Sequence, residues 1–213
     1  FAYAPRPFMR KGKVNVAVVG VTGAVGQEML RVLEARQFPV NRLLPLASKR
    51  SAGKRVRFKG KNLTVRELTR NSFDEIDIAL FSAGGEISRK FAPLAVKMGT
   101  VAVDNSSAFR LDKNVPLVVP EINGSDVKKH KGVIANPNCT TAITLMALYP
   151  LHKAFEVKRI FASTYQAVSG AGSRGVSELA EQTAGLLNMK DIEPSVHPVQ
   201  IAFNAIPQIA EFQ

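Results

Sequence analysis

The sequence predicts an α/β fold built on a parallel sheet, and two observations support this prediction. Apolar runs of four to six residues, suited to fully buried parallel strands, alternate with stretches of helical periodicity. A glycine-rich turn joins the first apolar run to the first helical stretch. Apolar residues make up 46% of the 213 residues, enough for a buried core. No run approaches the roughly 18 residues needed to cross a bilayer, so no membrane segment is expected.

The elements follow the order that a parallel sheet with crossover helices requires. The predicted elements are strands at 14–19, 43–47, 76–81 and 100–103, a strand ending at 134, helices at 24–36, 86–98 and 138–149, and a hairpin at 54–68 that turns at 59–62. On the first helix, the apolar face is expected to hold Val25, Met29, Val32 and Leu33. Further along, residues 157–165 (VKRIFASTY) predict a longer strand of a second sheet, and residues 173–188 predict a helix.

This change of pattern predicts three regions. Residues 1–13 form a basic head that is either a disordered start, the remainder of an expression tag, or the remnant of an organelle transit peptide. Residues 14–137 form the α/β domain. Residues 138–213 form the start of an α+β domain that is expected to be incomplete.

The turn at residues 20–26 (GVTGAVG) stands between a strand and a helix, the setting in which such a motif holds a dinucleotide. Gly20 allows the tight turn, Gly23 lets the backbone approach a pyrophosphate, and Gly26 permits close packing of helix on strand. The helix N-terminus attracts the anion. We therefore predict a Rossmann-type dinucleotide-binding domain. Its predicted cofactor contacts in this turn are Gly20, Thr22, Gly23, Ala24, Val25 and Gly26.

The end of the second strand favours a cofactor with a 2′-phosphate. An NAD enzyme usually places Asp or Glu about 20 residues after the glycines, to bind the ribose hydroxyl. Here the chain has Ser48-Lys49-Arg50-Ser51, and residues 49–61 hold seven Lys or Arg and no acid. Arginine and serine pair with a phosphate that a carboxylate would repel. We predict NADP, bound through Ser48, Arg50 and Ser51.

Two later strands end in small polar loops at residues 82–85 and 104–107. Such loops suit close approach of a nicotinamide at the carboxyl ends of the strands. Plain turns are the alternative for each loop. The cofactor contacts predicted here are Ser82, Ala83, Gly84, Asn105 and Ser106.

Residues 136–141 (NPNCTT) contain the only cysteine of the chain. The helix predicted at 138–149 places Cys139 in its first turn. The helix dipole and the free N–H groups there favour the nucleophilic thiolate and could hold an oxyanion. A buried structural cysteine is the alternative. A single cysteine leaves no internal disulfide and suggests a reducing compartment. No metal site is predicted.

Together these segments resemble the aspartate-β-semialdehyde dehydrogenase family. The matching segments, in family order from residue 14 to about 207, are VAVVGVTGAVGQEML, LASKRSAGK, DIALFSAGG, VDNSSAFR, VPLVVPEIN, ANPNCTT and STYQAVSGAG. The resemblance implies reversible reduction of L-aspartyl-4-phosphate to L-aspartate-4-semialdehyde with NADPH, through a thioester on Cys139. This reaction leads to lysine, threonine, methionine and isoleucine. The resemblance also implies a homodimer or homotetramer.

The resemblance assigns roles to four further residues. Arg110 and Asn138 correspond to residues that bind the substrate phosphate. Gln166 corresponds to a glutamine that positions the substrate, and Gly170 lies in a loop near the nicotinamide.

The chain departs from the family pattern in one respect. The family's catalytic histidine and its carboxylate-binding arginine belong to a later segment, and none of His130, His152 and His197 stands in the matching motif. General acid–base help contributes about 10²–10⁴-fold to rate. We therefore expect an enzyme fragment that is nearly inactive alone.

Three other readings of the residues stay open. The sister enzyme N-acetyl-γ-glutamyl-phosphate reductase usually has Gly before and an aromatic residue after its cysteine, whereas Asn138 and Thr140 flank Cys139 here. A non-catalytic NADP-binding fragment or subunit fits the missing histidine. Nucleic-acid binding rests on the net charge of +12 alone, and no nucleic-acid partner is predicted. The expected location is the cytoplasm, or the plastid stroma if the head is a transit remnant.

Overall fold

The computed structural model describes residues 12–208. The chain divides into two units, Phe1–Ile160 and Phe161–Gln213, and each is described by itself. The interpretation of the basic head as a transit remnant lies outside the described residues.

The first unit contains eight strands and four helices within its described residues. The strands are β1 (Val14–Val19), β2 (Val40–Ala47), β3 (Arg55–Phe58), β4 (Lys61–Thr64), β5 (Arg66–Glu67), β6 (Ile78–Phe81), β7 (Val101–Asp104) and β8 (Val133–Ala135). The helices are α1 (Ala24–Ala35), α2 (Gly85–Lys97), α3 (Pro120–Asn123) and α4 (Cys139–Phe155). The predicted hairpin is confirmed as the antiparallel pair β3–β4, and the predicted strands of the main sheet are confirmed to within a few residues.

The main sheet is fully parallel, as predicted, with the order β5-β2-β1-β6-β7-β8. Counted along the chain without the separate hairpin, its strands lie in the order 3-2-1-4-5-6, which is the order of a dinucleotide-binding sheet. The order reverses between β1 and β6. Ligands of such sheets bind beyond the carboxyl ends of the strands at this reversal point.

The core lies on both faces of the sheet because successive strand residues point to opposite sides. On one face Val16 and Val18 pack in a buried cluster with Leu30 of α1. On the other face Val19 packs in a second buried cluster with Phe91 of α2. Both faces of the sheet are therefore covered, as a fully parallel sheet requires.

The apolar face predicted for α1 is partly wrong. Val25 is 44% exposed, whereas Gly26, Leu30 and Leu33 are buried. The helix begins directly after a tight turn, so its first inward position is close to backbone and is occupied by a glycine. The apolar periodicity of the sequence could not show this.

The structure corrects the expectations on both sides of residue 156. Helix α4 continues through Pro150 to Phe155, although the prediction ended it at residue 149. The strand predicted at 157–165 is wrong: these residues form no strand, and nearly all are exposed. Their apolar and β-branched content favours a strand, but a strand also needs a neighbour, and none of the strands in residues 12–208 pairs with this segment.

Helix α4 is apolar and has no buried residue, with Ile143 and Phe155 72% and 78% exposed. The second unit contains the predicted helix, α5 (Gly172–Leu187), preceded by a short 3₁₀ turn at Val168–Ala171. Within the described part of the chain, no helix is long and apolar enough to cross a membrane.

Candidate cofactor and cysteine site

The glycine turn meets the loop that follows β6 at the reversal point of the sheet. Gly20 has φ +86°, and a Cβ there would overlap the carbonyl oxygen of Ser82. The N–H of Gly20 donates to the Leu46 carbonyl at 2.9 Å, and the N–H of Ser82 donates to the Val19 carbonyl at 2.9 Å. Only glycine fits this conformation and this contact. The ends of β1 and β6 thus meet at the edge of the sheet where a dinucleotide is predicted to bind.

Helix α1 begins at this edge with an N-terminus that no side chain caps. Gly23 precedes the helix. Ala24 and Val25 are exposed, so their N–H groups can receive an anion. A Cβ on Gly26 would overlap the Gly20 carbonyl oxygen, which explains the glycine there. Thr22, within the turn, is half-buried. This geometry fits a pyrophosphate, and the cofactor contacts of these residues stay predictions.

The residues predicted to bind a 2′-phosphate lie directly beyond β2. Ser48 precedes a 3₁₀ turn at Lys49–Ser51, in which the N–H of Ser51 donates to the Ser48 carbonyl at 2.8 Å. Ser48 and Arg50 are exposed, whereas Ser51 is buried. The turn itself contains no acid. The parallel edge strand β5, however, places Glu67 opposite Ala47. The sequence pattern missed this neighbouring carboxylate because the pairing of β2 with β5 was not predicted.

The loop beyond β7 is organised by Asp104, a residue that the sequence analysis did not single out. Its carboxylate is 0% exposed and accepts hydrogen bonds from the hydroxyls of Ser88 at 2.6 Å and Ser106 at 2.7 Å. Asn105 accepts, through its side-chain oxygen, a hydrogen bond from Nδ2 of Asn136 at 2.6 Å. The two predicted cofactor contacts of this loop, Asn105 and Ser106, are therefore held in place. Ser82 and Ala83 of the β6 loop are half-buried, and Gly84 is exposed.

Arg110 ties the loop beyond β7 to the loop beyond β8. Its Nε donates to the Asn136 carbonyl at 2.9 Å, and its Nη2 donates to the Asn105 carbonyl at 3.0 Å. The N–H of Asn136 in turn donates to the Asp104 carbonyl at 2.8 Å. Arg110 is half-buried, and the guanidinium keeps further N–H donors beyond these two bonds. The arginine assigned to phosphate is thus fixed next to the loop that leads to the cysteine.

Cys139 is the first residue of α4 and is exposed, as the helix prediction required. The alternative of a buried structural cysteine is contradicted. Asn138 caps the helix: its Oδ1 accepts hydrogen bonds from the N–H groups of Thr140 at 2.9 Å and Thr141 at 3.3 Å. The expectation of free N–H groups around the thiol is corrected accordingly, since the cap occupies two of them. Sequence analysis missed this role of Asn138, although Asn is a preferred N-cap residue.

Gln166 and Gly170 belong to the second unit, and Cys139 and Arg110 to the first. Gln166 is exposed, and its side-chain amide packs directly over Gly170, where a Cβ would overlap it. Both residues line a cavity of about 970 Å³ within the second unit, and His197 lines the same cavity. The roles of Gln166 and Gly170 stay predictions.

The second unit also contains a buried carboxylate that the sequence analysis missed. Glu178 is 3% exposed and accepts hydrogen bonds from the N–H groups of Ser195 (2.5 Å), Val196 (2.9 Å) and His197 (3.1 Å). Nδ1 of His197 lies 2.6 Å from Oε2 of Glu178. Burial raises the pKa of Glu178, but these hydrogen bonds together outweigh it and lower the pKa to about 2. A single Glu in a helical stretch gives no sequence signal for such a role.

The fold and the site define a dinucleotide-binding α/β domain with an exposed cysteine at a helix start. Residues 15–130 match the family described as "Semialdehyde dehydrogenase, NAD binding domain", and residues 148–213 match "Semialdehyde dehydrogenase, dimerisation domain". The chain therefore belongs to the semialdehyde dehydrogenase family, and within it to the aspartate-semialdehyde dehydrogenases. The resemblance inferred from the sequence is confirmed.

Three relatives illustrate the match. The aspartate-semialdehyde dehydrogenase of Bacillus subtilis is 55% identical over 94% of this chain and 60% of its own length. A crystal structure of the Vibrio cholerae aspartate semialdehyde dehydrogenase II complexed with ASA has a TM-score of 0.92 at 50% identity, covering 94% of this chain and 60% of that one. A Candida albicans enzyme crystallised with NADP has a TM-score of 0.53 at 27% identity, covering 68% and 48%. The chain thus spans about 60% of the length of its first relatives.

Proposed function

We propose that this chain supplies the cofactor site and the nucleophile of an aspartate-semialdehyde dehydrogenase, which reduces L-aspartyl-4-phosphate to L-aspartate-4-semialdehyde. The observation that carries the proposal is the exposed Cys139 at the start of α4. Its loop is bonded, through Asn136, to the carboxyl end of β7. A nucleophile at that edge of the sheet stands where such folds bind their ligands.

Cys139, Arg110 and Gln166 each have a separate role in the proposed reaction. The thiolate of Cys139 attacks the acyl carbon, the bond to phosphate breaks, and phosphate leaves with the electron pair, which yields a thioester on the sulfur. Bound NADPH supplies the hydride that turns this thioester into the aldehyde and frees the thiolate. The guanidinium of Arg110 stabilises the phosphate, for which a planar, permanently charged donor is suited. Gln166 positions the substrate.

The cofactor of this chain is proposed to be NADP. Ser48 and Arg50 stand exposed beyond β2, and the Candida albicans relative was crystallised with NADP. Glu67 pairs with Ala47 at the end of β2, and a carboxylate close to the site would weaken its attraction for a 2′-phosphate. The match to a dimerisation domain supports assembly into homodimers or homotetramers.

Cofactor choice is tested by titrating NADPH and NADH into the 213-residue chain and following nicotinamide fluorescence. The Arg50→Ala variant is expected to weaken NADPH binding about 10- to 100-fold, the range for a lost hydrogen bond to a charged group, without changing NADH binding. Arg36→Ala is the matched control, because Arg36 is also exposed but stands at the C-terminal end of α1, at the opposite edge of the sheet. Equal losses for the two cofactors, or no loss, would remove the proposed phosphate contact.

Turnover is tested with aspartate semialdehyde, phosphate and NADP. The relatives are longer, so the assay uses the 213-residue chain and the same chain extended by the C-terminal part of the Bacillus subtilis enzyme. The extended chain is expected to reduce NADP, and Cys139→Ala is expected to lower that rate by at least about 10³-fold, as loss of a covalent nucleophile does. An extended chain that binds NADP but never turns over would favour the non-catalytic alternative.

A further inference from the structure

The buried face of α5 is made of polar residues and glycine. Gly175, Glu178 and Gln182 are its buried residues, and their spacing of three and four places them on one side of the helix. Apolar residues of the same helix point elsewhere: Val176 and Leu187 are exposed. Burying a carboxylate and an amide oxygen is unfavourable unless both accept hydrogen bonds. The face must therefore be matched by donors from another segment.

Those donors come from the backbone of residues 195–202, a segment without helix or strand. Glu178 accepts the N–H groups of Ser195, Val196 and His197, as described above. One helical turn later, Oε1 of Gln182 accepts the N–H groups of Ile201 at 2.9 Å and Ala202 at 3.1 Å. Two side chains of α5 thus hold both ends of this segment. Nδ1 of His197 must carry a proton, because the carboxylate of Glu178 can only accept.

Gly175 is where α5, the histidine and the 3₁₀ turn meet. A Cβ on Gly175 would lie 2.6 Å from the Val168 carbonyl oxygen, 2.9 Å from the Cβ of Ala171 and 3.4 Å from Cε1 of His197. Residues 168–171 form the turn over which the Gln166 amide packs, since that amide lies against Gly170. A series of close neighbours therefore leads from Glu178 through His197, Gly175 and the turn to Gln166.

We propose that Glu178 is a positioning residue for Gln166. Through His197 and the contacts at Gly175, its carboxylate fixes the turn at residues 168–171 and so the place of the Gln166 amide. His197 and Gln166 line the same cavity, which the turn helps to shape. The proposal rests on the proposed function, in which Gln166 positions the substrate. It adds Glu178 and His197 to the residues on which that step depends.

The first test reads the position of Gln166 without turnover. Side-chain amide signals of Gln166 are assigned in a ¹⁵N spectrum of the 213-residue chain by comparison with Gln166→Asn. Glu178→Gln is expected to shift these signals and to speed amide exchange of residues 168–171 by about tenfold or more. Glu181→Gln is the matched control, because Glu181 lies on the same helix but is exposed, and it should change neither.

A second variant keeps the test decisive if Glu178→Gln fails to fold. Gly175→Ala leaves the carboxylate intact but presses on the Val168 carbonyl and the Cβ of Ala171, so it should move the same Gln166 signals. The proposal is overturned if Glu178→Gln frees only residues 195–202 while the Gln166 signals stay in place. It is also overturned if Gly175→Ala leaves those signals unchanged.

Kinetics separate this proposal from the function on which it rests. In the extended chain, Glu178→Gln is expected to lower kcat about 10- to 100-fold, the effect of misplacing a group near the chemistry, with NADPH affinity unchanged. Absence of NADPH binding or turnover in the unaltered extended chain would refute the proposed function instead. The Gln166 signals would still decide whether Glu178 positions that side chain.

Discussion

Replacing Asn138 by Ala should loosen the start of the helix that carries the cysteine. The side-chain oxygen of Asn138 accepts two N–H groups, at 2.9 Å from Thr140 and 3.3 Å from Thr141. Alanine removes both bonds and leaves the donors to water. Because none of α4's residues is buried, packing contributes little to holding this first turn closed, and the cap has a correspondingly large share.

The loss of helix stability in Asn138→Ala can be estimated from the two hydrogen bonds that are lost. Loss of an N-cap side chain costs about 0.5–2 kcal/mol, typically about 1. At 1.4 kcal/mol per tenfold, a loss of about 1 kcal/mol raises the local opening constant about fivefold. The Asn138→Asp variant keeps an acceptor oxygen at the same place and should be nearly neutral for the helix. It also adds a negative charge beside Cys139, which disfavours the thiolate.

Two measurements check this pair of variants. Amide exchange at Ala142 and the following turn should speed up about fivefold in Asn138→Ala and stay unchanged in Asn138→Asp. Alkylation of Cys139 by iodoacetamide at neutral pH should slow in Asn138→Asp. If both variants exchange alike, whether both fast or both unchanged, the side chain of Asn138 does not cap α4 and the reasoning fails.

Two further predictions concern the glycine turn and the buried carboxylate. Gly26→Ala should destabilise the first unit by about 1–3 kcal/mol, because the added methyl group overpacks the turn, and it should weaken NADPH binding. Thermal melts measure the loss of stability. Gly124→Ala is the control, because a Cβ at Gly124 meets open space. The pKa of Glu178 is lowered from 4.5 to about 2, so its ionised form stabilises the fold fully above pH 4.5, and this stabilisation is lost as pH falls toward 2. Pepsin should therefore cleave residues 195–202 faster, relative to an unstructured peptide, as pH falls through that window. Glu178→Gln should lose this pH dependence, and a wild-type chain cleaved at a constant relative rate would contradict the assignment.

The cofactor end of the fold could be predicted from sequence because its signals are local. The run at residues 14–19, the turn at 20–26 and the helix after it are contiguous, and each reports its own conformation. Gly20 and Gly26 stand where backbone atoms leave no room for a side chain, which a sequence records directly as glycine. Cys139 was predicted at a helix start for the same reason, since the apolar stretch at residues 138–149 indicates that helix.

The features that were not predicted depend on contacts between residues far apart in the sequence, and a single sequence does not record such contacts. Glu178 looks like any solvent-facing residue of an amphipathic helix, yet its partners lie 17 to 19 residues away. Glu67 reaches the end of β2 only because a two-residue edge strand pairs there. The segment at 157–165 shows the converse error, because its composition favours a strand and the pairing partner that would make it one is lacking among residues 12–208.

The hydrogen bonds among Asn105, Arg110 and Asn136 join a loop assigned to the cofactor with the loop that leads to Cys139. When two ligands shift the same network of hydrogen bonds, their effects on each other's affinity are reciprocal. The factor by which NADP changes the affinity of the cysteine loop for its acyl group is also the factor by which the acyl group changes the affinity for NADP. Under the proposed function, we therefore expect ligand occupancy of the thiol and of the nucleotide site to be coupled. The order in which the two ligands arrive cannot alter the free energy of the doubly occupied state.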